Sequence, residues 1–340
     1  PISDFVLKDF SSAERKGLPV TLEIAADAVE AIVNDGVLAA LAVGDQAAIE
    51  RSDWDLFRIT GPVSGLDEAL KARPFMDLTP GMASGSGFVI ASPDYGTFTR
   101  KAGNFTEFRL RTDTKILPAS VVNDVTAEKA KEIEAMQGYK PGRKQTKEIK
   151  EAVTLELLAS AFVKTHITRG WFDSTGWLVI DTASASKAEA ALDALRNALD
   201  EFPVHFWRTQ QVPESAMTLW VSTQEPPEGM TIDDRVKLAD HDGGTVSVVN
   251  RDATSAEVIQ LITEGGAVVS ELALTLEDVA SFVLANGTLK RMYFLDIQEE
   301  AKGDPLSQEE EANADLILSG DAVRKVVVAL TAELGGLKHE

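Results

Sequence analysis

Residues 170–184, GWFDSTGWLVIDTAS, decide the fold class. Two short apolar runs flank Ser174–Thr175–Gly176, which predicts a β-hairpin that turns at these three residues. The next stretch, residues 186–202 (SKAEAALDALRNALDEF), predicts an amphipathic helix with Ser184 or Ser186 as its N-cap. A hairpin followed by a helix is typical of an α+β protein with antiparallel sheets and not of a doubly wound fold.

Further hairpins are predicted on both sides of this unit. Residues 98–113 (FTRKAGNFTEFRLRTD) predict two strands that turn at Gly103–Asn104. Side chains alternate along a strand, so Arg109 and Arg111 are expected on one face. Downstream, two or three antiparallel strands are predicted, with Asn286–Gly287 as a hairpin turn. The repeated hairpins favour antiparallel sheets with packed helices.

Three other segments complete the coarse prediction. Gly85–Ser86–Gly87 is expected to form a turn before a short strand. Residues 298–315 contain seven acidic residues against Lys302 and are expected to form an acidic loop. The chain is predicted to close with a helix over 320–334, which ends at Gly335–Gly336.

Charge is the outlying feature of the composition. The chain has 340 residues, 33 Lys and Arg against 54 Asp and Glu, and a net charge of -21. This balance excludes a uniformly basic nucleic-acid coat and a polybasic membrane binder. DNA binding therefore requires positive charge concentrated on one surface. The length is enough for two or three domains, and 44% hydrophobic residues indicate a folded protein.

Cysteine usage and apolar segments bound the location of the protein. The absence of cysteine excludes disulfides, thiolate zinc sites, iron–sulfur clusters and a cysteine nucleophile, and it fits a reducing cytoplasm. The start of the chain carries Asp4 and Asp9 and lacks the apolar stretch of a signal peptide. We expect a cytoplasmic protein without a membrane partner.

A basic helical hairpin is the most informative local feature. A first helix is predicted to open at Thr126 and Glu128, and a second to run over 147–164, joined by a linker with Pro141–Gly142. Between 140 and 150 five cations accompany a single acid, Glu148. These cations are Lys140, Arg143, Lys144, Lys147 and Lys150.

The hairpin has two interpretations. Lysine-rich helices commonly present a solvated face. Alternatively, the hairpin is an arm that contacts DNA phosphates, because Lys and Arg dominate binding to the DNA backbone. Phe162, near the predicted end of the second helix, is either a core or interface aromatic or an apolar wedge against base steps.

The sequence gives no positive sign of an active site. It has no phosphate-binding GxxxxGK[ST] motif and no GxSxG elbow, and Gly85–Ser86–Gly87 lacks the third glycine of a dinucleotide fingerprint. The histidines share no ligand spacing; they are His166, His205, His241 and His339. Asp173, Asp181 and Asp242 would be the carboxylates for Mg²⁺ in a nuclease. We expect no enzymatic activity, no metal and no cofactor.

Several ordered blocks of the sequence resemble the RdgC family of bacterial recombination-associated DNA-binding proteins. The blocks are residues 112–165, which include KILP and the basic hairpin, residues 171–199, residues 243–274 and the stretch NGTLKRMYF at 286–294. The similarity covers residues 53 to 340. The opening residues have no counterpart in the family, and such an extension suggests a divergent, phage-borne member.

The resemblance implies a ring-shaped homodimer that encloses DNA and is built from tip, centre and base regions. Family members bind double-stranded, and also single-stranded, DNA with little sequence preference and without a cofactor. They antagonise a RecA-type recombinase and associate with the nucleoid. The implied regions are an N-terminal extension (1–52), a centre region in two parts (53–118 and 166–207), the basic hairpin as the tip (119–165) and a base (208–340).

The resemblance also implies a set of DNA-binding residues. They are Lys115, Lys140, Arg143, Lys144, Lys147, Phe162, Lys164, Lys187 and Arg251. Two positions depart from the family pattern. Ser160 stands where an arginine is familiar, and Asn250–Arg251 stands where the family has a Lys–Gln pair.

Two alternatives from other classes stay open at this point. The acidic surface could bind a recombinase directly, without a DNA step. The chain could also be a metal-dependent nuclease, which requires carboxylates gathered at one place.

Overall fold

The computed structural model describes residues 52–61, 63–182, 184–240, 242–295 and 307–338. The predictions for residues 1–51, and for His241 and His339, lie outside the described residues.

Within this part of the chain there are twelve strands and seven helices. The strands are β1 (Ser52–Ile59), β2 (Ser84–Val89), β3 (Thr99–Ala102), β4 (Phe105–Lys115), β5 (Val163–Asp173), β6 (Trp177–Asp181), β7 (Val204–Phe206), β8 (Met230–Ala239), β9 (Thr245–Val249), β10 (Val268–Leu276), β11 (Ala280–Ala285) and β12 (Thr288–Phe294). The helices are α1 (Leu66–Lys71), α2 (Ala119–Gln137), α3 (Arg143–Ser160), α4 (Ala185–Ala198), α5 (Pro213–Thr223), α6 (Ala256–Thr263) and α7 (Gln308–Glu333).

All twelve strands form one antiparallel sheet. Its order is β2-β4-β5-β6-β1-β12-β11-β10-β8-β9, with β3 paired to β4 and β7 paired to β1. Strand β1 lies in the middle and joins the two halves, since Trp54 is opposite Asp181 of β6 and also opposite Leu289 of β12. The predicted α+β class with antiparallel pairing is confirmed.

The predicted hairpin turns are confirmed as well. β5 and β6 are joined at residues 174–176, and β3 and β4 at Gly103–Asn104. Asn286 and Gly287 join β11 to β12 with φ angles of 38° and 79°. Positive φ at both central residues suits the two-residue turn that matches strand twist, and Asn and Gly tolerate it best.

Two apolar clusters lie on opposite faces of the sheet. On one face α1 and α4 cover Phe108, Leu110 and Phe172. On the other face α5 and α7 cover a cluster that includes Phe105 and Trp171. The alternation of side chains along β4 and β5 therefore divides neighbouring residues between two cores.

The structure corrects where the first helix of the basic hairpin begins and where the second one ends. α2 begins at Ala119 and not at Thr126, because the extended Pro118 (ψ 135°) directly precedes the helical residues. The Thr126 hydroxyl donates to the Val122 carbonyl at 2.6 Å inside the helix and caps nothing. α3 ends at Ser160, since Ala161 is extended (ψ 143°) and Val163 already pairs with Lys115 in the sheet.

Two further predictions were wrong. The acidic stretch is not all loop: α7 begins at Gln308, where Ser307 and Glu310 form a capping box, and it places three acids in its first turn, where the helix dipole favours them. Gly85–Ser86–Gly87 is not a turn but part of β2. A Cβ at Gly87 would lie 2.4 Å from the Phe75 Cα, so only glycine fits there.

A buried carboxylate on the α7 face of the sheet holds several elements together. Glu107 of β4 is 0% exposed and accepts hydrogen bonds from Arg100 at 2.8 Å, Arg109 at 3.0 Å and Arg169 at 3.1 Å. Arg100 also donates to Glu309 of α7 at 3.1 Å, and this bond, with one from Ser92, holds the pKa of the Glu309 carboxyl below its usual value. The cluster thus ties β3, β4, β5 and α7 to one another.

We predict that Glu107→Gln strongly destabilises the fold. The substitution keeps the size of the side chain but leaves Arg100 without one of its two buried counter-charges, so we expect a loss of about 3–5 kcal/mol in the free energy of unfolding. Urea unfolding measures it. The control is Glu156→Gln, which breaks an exposed ion pair with Lys129 and is expected to cost less than about 1 kcal/mol. Equal losses in both variants would contradict the prediction.

Candidate nucleic-acid interface

The basic hairpin is inserted into the longest strand pair of the sheet. β4 and β5 pair over eleven residues, from Phe105 opposite Asp173 to Lys115 opposite Val163, and α2 and α3 connect the ends of these strands. The Ile116 N–H donates to the Phe162 carbonyl at 2.8 Å and closes the base of the insertion.

The hairpin has a small apolar core of its own. Val122 of α2 packs with Ile149 and Val153 of α3, apart from the two clusters of the sheet. α2 has 19 residues and is therefore ~27 Å long at ~1.5 Å per residue, so the connection between the two helices lies one helix length away from the end of β4 along the hairpin.

Positive charge is concentrated at this distal end. Over residues 119–160 the hairpin carries seven cations and seven acids, yet the segment 140–150 carries five of these cations and a single acid. The five side chains predicted to lie there are exposed. Arg143, Lys147 and Lys150 follow an i, i+4, i+7 spacing and share one face of α3. Lys147 has an acidic neighbour, Glu151, at 3.8 Å.

Phe162 lies at the other end of the hairpin with its side chain in solvent. It is 84% exposed, although its carbonyl is fixed by Ile116. Ile116 and Val163 beside it are also exposed. The structure thereby excludes the core alternative for this aromatic residue and leaves an interface or wedge role.

The remaining predicted DNA contacts lie at three places. The Lys115 Nζ donates to the carbonyls of Thr79 at 3.0 Å and Pro80 at 2.8 Å, so it holds a loop against the end of β4. Lys164 and Lys187 line one cavity on the face that α4 covers. Arg251 is exposed beyond β9, at the opposite end of the sheet from β4, so the structure does not bring it next to the hairpin.

Arg109 and Arg111 lie on one face of β4, as the alternation predicts, but both are paired there. Arg109 bonds to Glu107, and Arg111 donates to both oxygens of Asp113 at 2.9 and 2.7 Å. The hydrogen bond from Arg111 lowers the pKa of the Asp113 carboxyl. Arg111 also stacks 4.2 Å from the Phe75 ring centre. The charges of this face are therefore largely neutralised.

The carboxylates of the nuclease alternative are not gathered. Asp173, at the end of β5, accepts from the Thr175 N–H at 2.9 Å and lies 3.6 Å from Arg324. Asp181 ends β6, and Asp242 lies in the turn between β8 and β9. In the described ranges no three His, Asp or Glu side chains are grouped so as to hold a metal ion.

A second cationic cavity, besides that of Lys164 and Lys187, has a volume of about 570 Å³ and was not predicted from the sequence. Its lining side chains include Arg58, His205, Phe206, Arg208 and Lys338. The Arg58 Nη1 donates to the Thr175 carbonyl at 2.7 Å, and its guanidinium lies 5.1 Å from the Trp177 ring centre. No local motif could have revealed this cavity, because it is assembled from β1, the region of β7 and the end of the chain.

Comparison with known proteins identifies the family. Residues 53–337 match the family model described as "Putative exonuclease, RdgC". The chain belongs to the RdgC family. The resemblance inferred from the ordered sequence blocks is thus confirmed, and residues 1–52 lie outside the matched range.

Curated relatives agree with the family match. The recombination-associated protein RdgC of Cupriavidus pinatubonensis is 41% identical over 252 residues, which cover 72% of this chain and 84% of that protein. Its namesake from Dechloromonas aromatica is 35% identical over 293 residues, covering 83% of this chain and 96% of the relative. The family model is described as an exonuclease, whereas the relatives' names state no enzymatic activity.

Among the residues that the structure describes, no helix has both the length and the apolar character needed to cross a bilayer.

We predict that Phe162→Ala leaves stability almost unchanged, because the side chain buries little apolar surface. A change within about 0.5 kcal/mol is expected in chemical unfolding. The matched control, Phe108→Ala, removes a fully buried ring and is expected to cost about 3–5 kcal/mol. A cost for Phe162→Ala that approaches the control would show that the ring is packed in solution.

Proposed function

We propose that this RdgC-family protein is a non-sequence-specific DNA-binding protein that acts in recombination. The observation that carries the proposal is the concentration of exposed cations at the distal end of the hairpin, on a chain whose net charge is -21. The relatives named as recombination-associated proteins connect this feature with recombination.

Electrostatics explains why such a protein would contact DNA only where uncompensated cations are exposed. Most of its surface repels phosphate, and the basic end of the hairpin is one of the places where cations outnumber acids. Lysine and arginine on one helix face neutralise backbone phosphates and release counterions, which gives affinity without reading bases.

A homodimer that encircles DNA is the assembly we propose. The family resemblance supports it, and so does the exposure of large apolar side chains at both ends of the hairpin, with Met136 and Tyr139 near the distal end and Phe162 at the base. Two copies related by a two-fold axis would present the same exposed side chains to each other and close a ring at the hairpins. A closed ring on the nucleoid would limit access of a RecA-type recombinase to the enclosed DNA, without any cofactor.

A second candidate function is direct binding of a recombinase through the acidic surface. The excess of acids over cations favours it, including the exposed Glu310 and Glu311 at the start of α7. In this case DNA would not be needed for the effect on the recombinase.

We predict that reversing three charges of the hairpin abolishes DNA binding. In Arg143→Glu/Lys144→Glu/Lys147→Glu three phosphate contacts are lost and three repulsive charges are added. In the corresponding triple Gln variant, which only loses the contacts, the slope of log affinity against log salt is expected to fall by about 2.7, at about 0.9 per contact. Fluorescence anisotropy with a duplex at several salt concentrations measures both quantities. The corresponding triple Gln variant separates the loss of cations from the added repulsion.

The control places the same charge reversal elsewhere, on the exposed Lys71, Lys101 and Lys325. This variant should keep most of its affinity. Equal weakening in both triple variants would mean that only net charge matters, and unchanged affinity in the hairpin variant would remove the hairpin from the proposal. Recombinase inhibition that survives loss of DNA binding would favour the second candidate function.

Encirclement predicts slower release from closed circular duplexes than from linear ones of equal length. A ring can leave a linear duplex over its ends, whereas release from a circle requires the ring to open. Dissociation rates measured on both forms, with the mass of the protein determined in solution, check this. Equal rates from a dimer, or a monomeric protein, would contradict the ring.

A further inference from the structure

The two faces of the β4–β5 pair differ in how their polar groups are satisfied. On the face toward α7 the arginines are paired: Arg111 lies 2.7 Å from Asp113, and Arg169 lies 3.1 Å from Asp315. On the opposite face, beside the first turns of α4, a cavity of about 450 Å³ is lined by donors and, among the residues that the structure describes, by no carboxylate. Its polar lining includes Thr112, Thr114, Lys164, His166, Thr168 and Lys187.

The lysine and threonine donors of this cavity lack partners within the described part of the chain, whereas the Ser186 hydroxyl is hydrogen-bonded to that of Ser184 at 2.9 Å. Neither ammonium group, of Lys164 or of Lys187, is ion-paired there, and none of the three threonine hydroxyls makes a hydrogen bond. Thr168 is the most informative of them, since its side chain is only 2% exposed and lines the cavity. Its hydroxyl opens into the cavity and makes no hydrogen bond to the described part of the chain, so it is available to a bound acceptor.

The start of α4 also carries positive charge and N–H donors that no acceptor compensates. Ser184 is its N-cap, but the serine side chain makes no capping hydrogen bond, and no acid lies in the first turn. Lys187 occupies that turn, where the positive end of the helix dipole disfavours a cation. An anion in the cavity would interact favourably with the uncapped N–H groups and with both lysines.

The positive charge around the cavity also affects the protonation of His166. Burial, Lys187 and Lys164 lower the pKa of its imidazole, and the more distant Asp181 opposes them. The facing groups on β4 are the neutral Thr112 and Thr114. These groups therefore favour the neutral imidazole in the free protein, and an anion beside it would favour its protonated form.

We propose that this cavity binds a phosphate group of the DNA chain, with Lys164, Lys187 and Thr168 as donors and His166 as a proton-dependent donor. The inference rests on the proposed function and adds a second contact to it. A phosphate oxygen can accept from several of these donors at once, whereas the basic end of the hairpin makes only exposed contacts. The cavity lies at the base of the hairpin and is separated from that end by the ~27 Å length of α2, a length that one duplex covers in about eight base pairs.

The proton linkage follows from the direction of the pKa shift. Binding a phosphodiester raises the pKa of His166, so binding takes up a proton and affinity increases as the pH falls toward the range in which histidine titrates. The phosphodiester keeps one charge throughout this range. Any pH dependence of the duplex affinity that His166→Gln removes therefore arises from this histidine and not from the DNA.

The test combines histidine NMR with binding. The four histidines are titrated in the free protein, with a short duplex that lacks terminal phosphates, and with inorganic phosphate, and His166→Gln assigns the signal. We expect the duplex to raise the pKa of His166. Thr168→Val and Lys164→Gln/Lys187→Gln should each weaken duplex binding, and the lysine variant should reduce the salt slope by about 1–2. Lys71→Gln/Lys101→Gln is the matched control.

The outcomes separate this inference from the proposed function. A pKa of His166 that does not move while the duplex binds overturns the cavity and leaves DNA binding standing. A response to inorganic phosphate alone, with no duplex binding, overturns DNA as the source of the phosphate and the proposed function with it. Unchanged binding by both Thr168→Val and the lysine variant would also overturn the inference.

Discussion

The pairing of β4 with β5 positions every feature that we connect with DNA. One end of this eleven-residue ladder is fastened by Glu107, which bonds to arginines on three strands and lies next to α7. The other end carries the basic hairpin and the cavity of Lys164 and Lys187. The buried ion pairs fix the register of the ladder, because a shift by one residue would move every side chain to the other face and leave the Glu107 charge without partners.

The alternation of side chains along β4 separates charges that pair within the fold from charges that are available to a ligand. Odd-numbered residues of β4 carry Glu107, Arg109, Arg111 and Asp113, which neutralise one another or Arg100 and Arg169. Even-numbered residues begin in an apolar core at Phe108 and Leu110 and continue as Thr112 and Thr114 in the cavity. The net charge of the chain thus says little about where DNA can bind, since cations near the sheet differ in whether an acid already compensates them.

Local signals in the sequence were sufficient for much of the fold. The turns at 174–176 and at Asn286–Gly287 depend on neighbouring residues alone, so pattern and turn chemistry located them. The start of α7 was missed, although Ser307 and Glu310 have the spacing of a capping box, because the density of acids outweighed the capping signal. The two cationic cavities could not be predicted, since segments far apart in the chain line each of them. Histidine spacing gave no reason to single out His166, whose surroundings come from β5, β4 and α4.

Thr168 and Lys187 show how side chains that the fold does not need can point to a site. Thr168 lies on β5 between the core residue Phe172 and the exposed Lys164, at a position where its hydroxyl opens into the cavity and a valine of the same shape would serve the sheet equally well. Lys187 in the first turn of α4 is a poor choice for the helix alone. Two local choices that the fold does not require, and that meet in one cavity, are explained together by an anion that accepts from the hydroxyl and compensates the charge. Neither residue has this explanation if the cavity stays empty when DNA is bound.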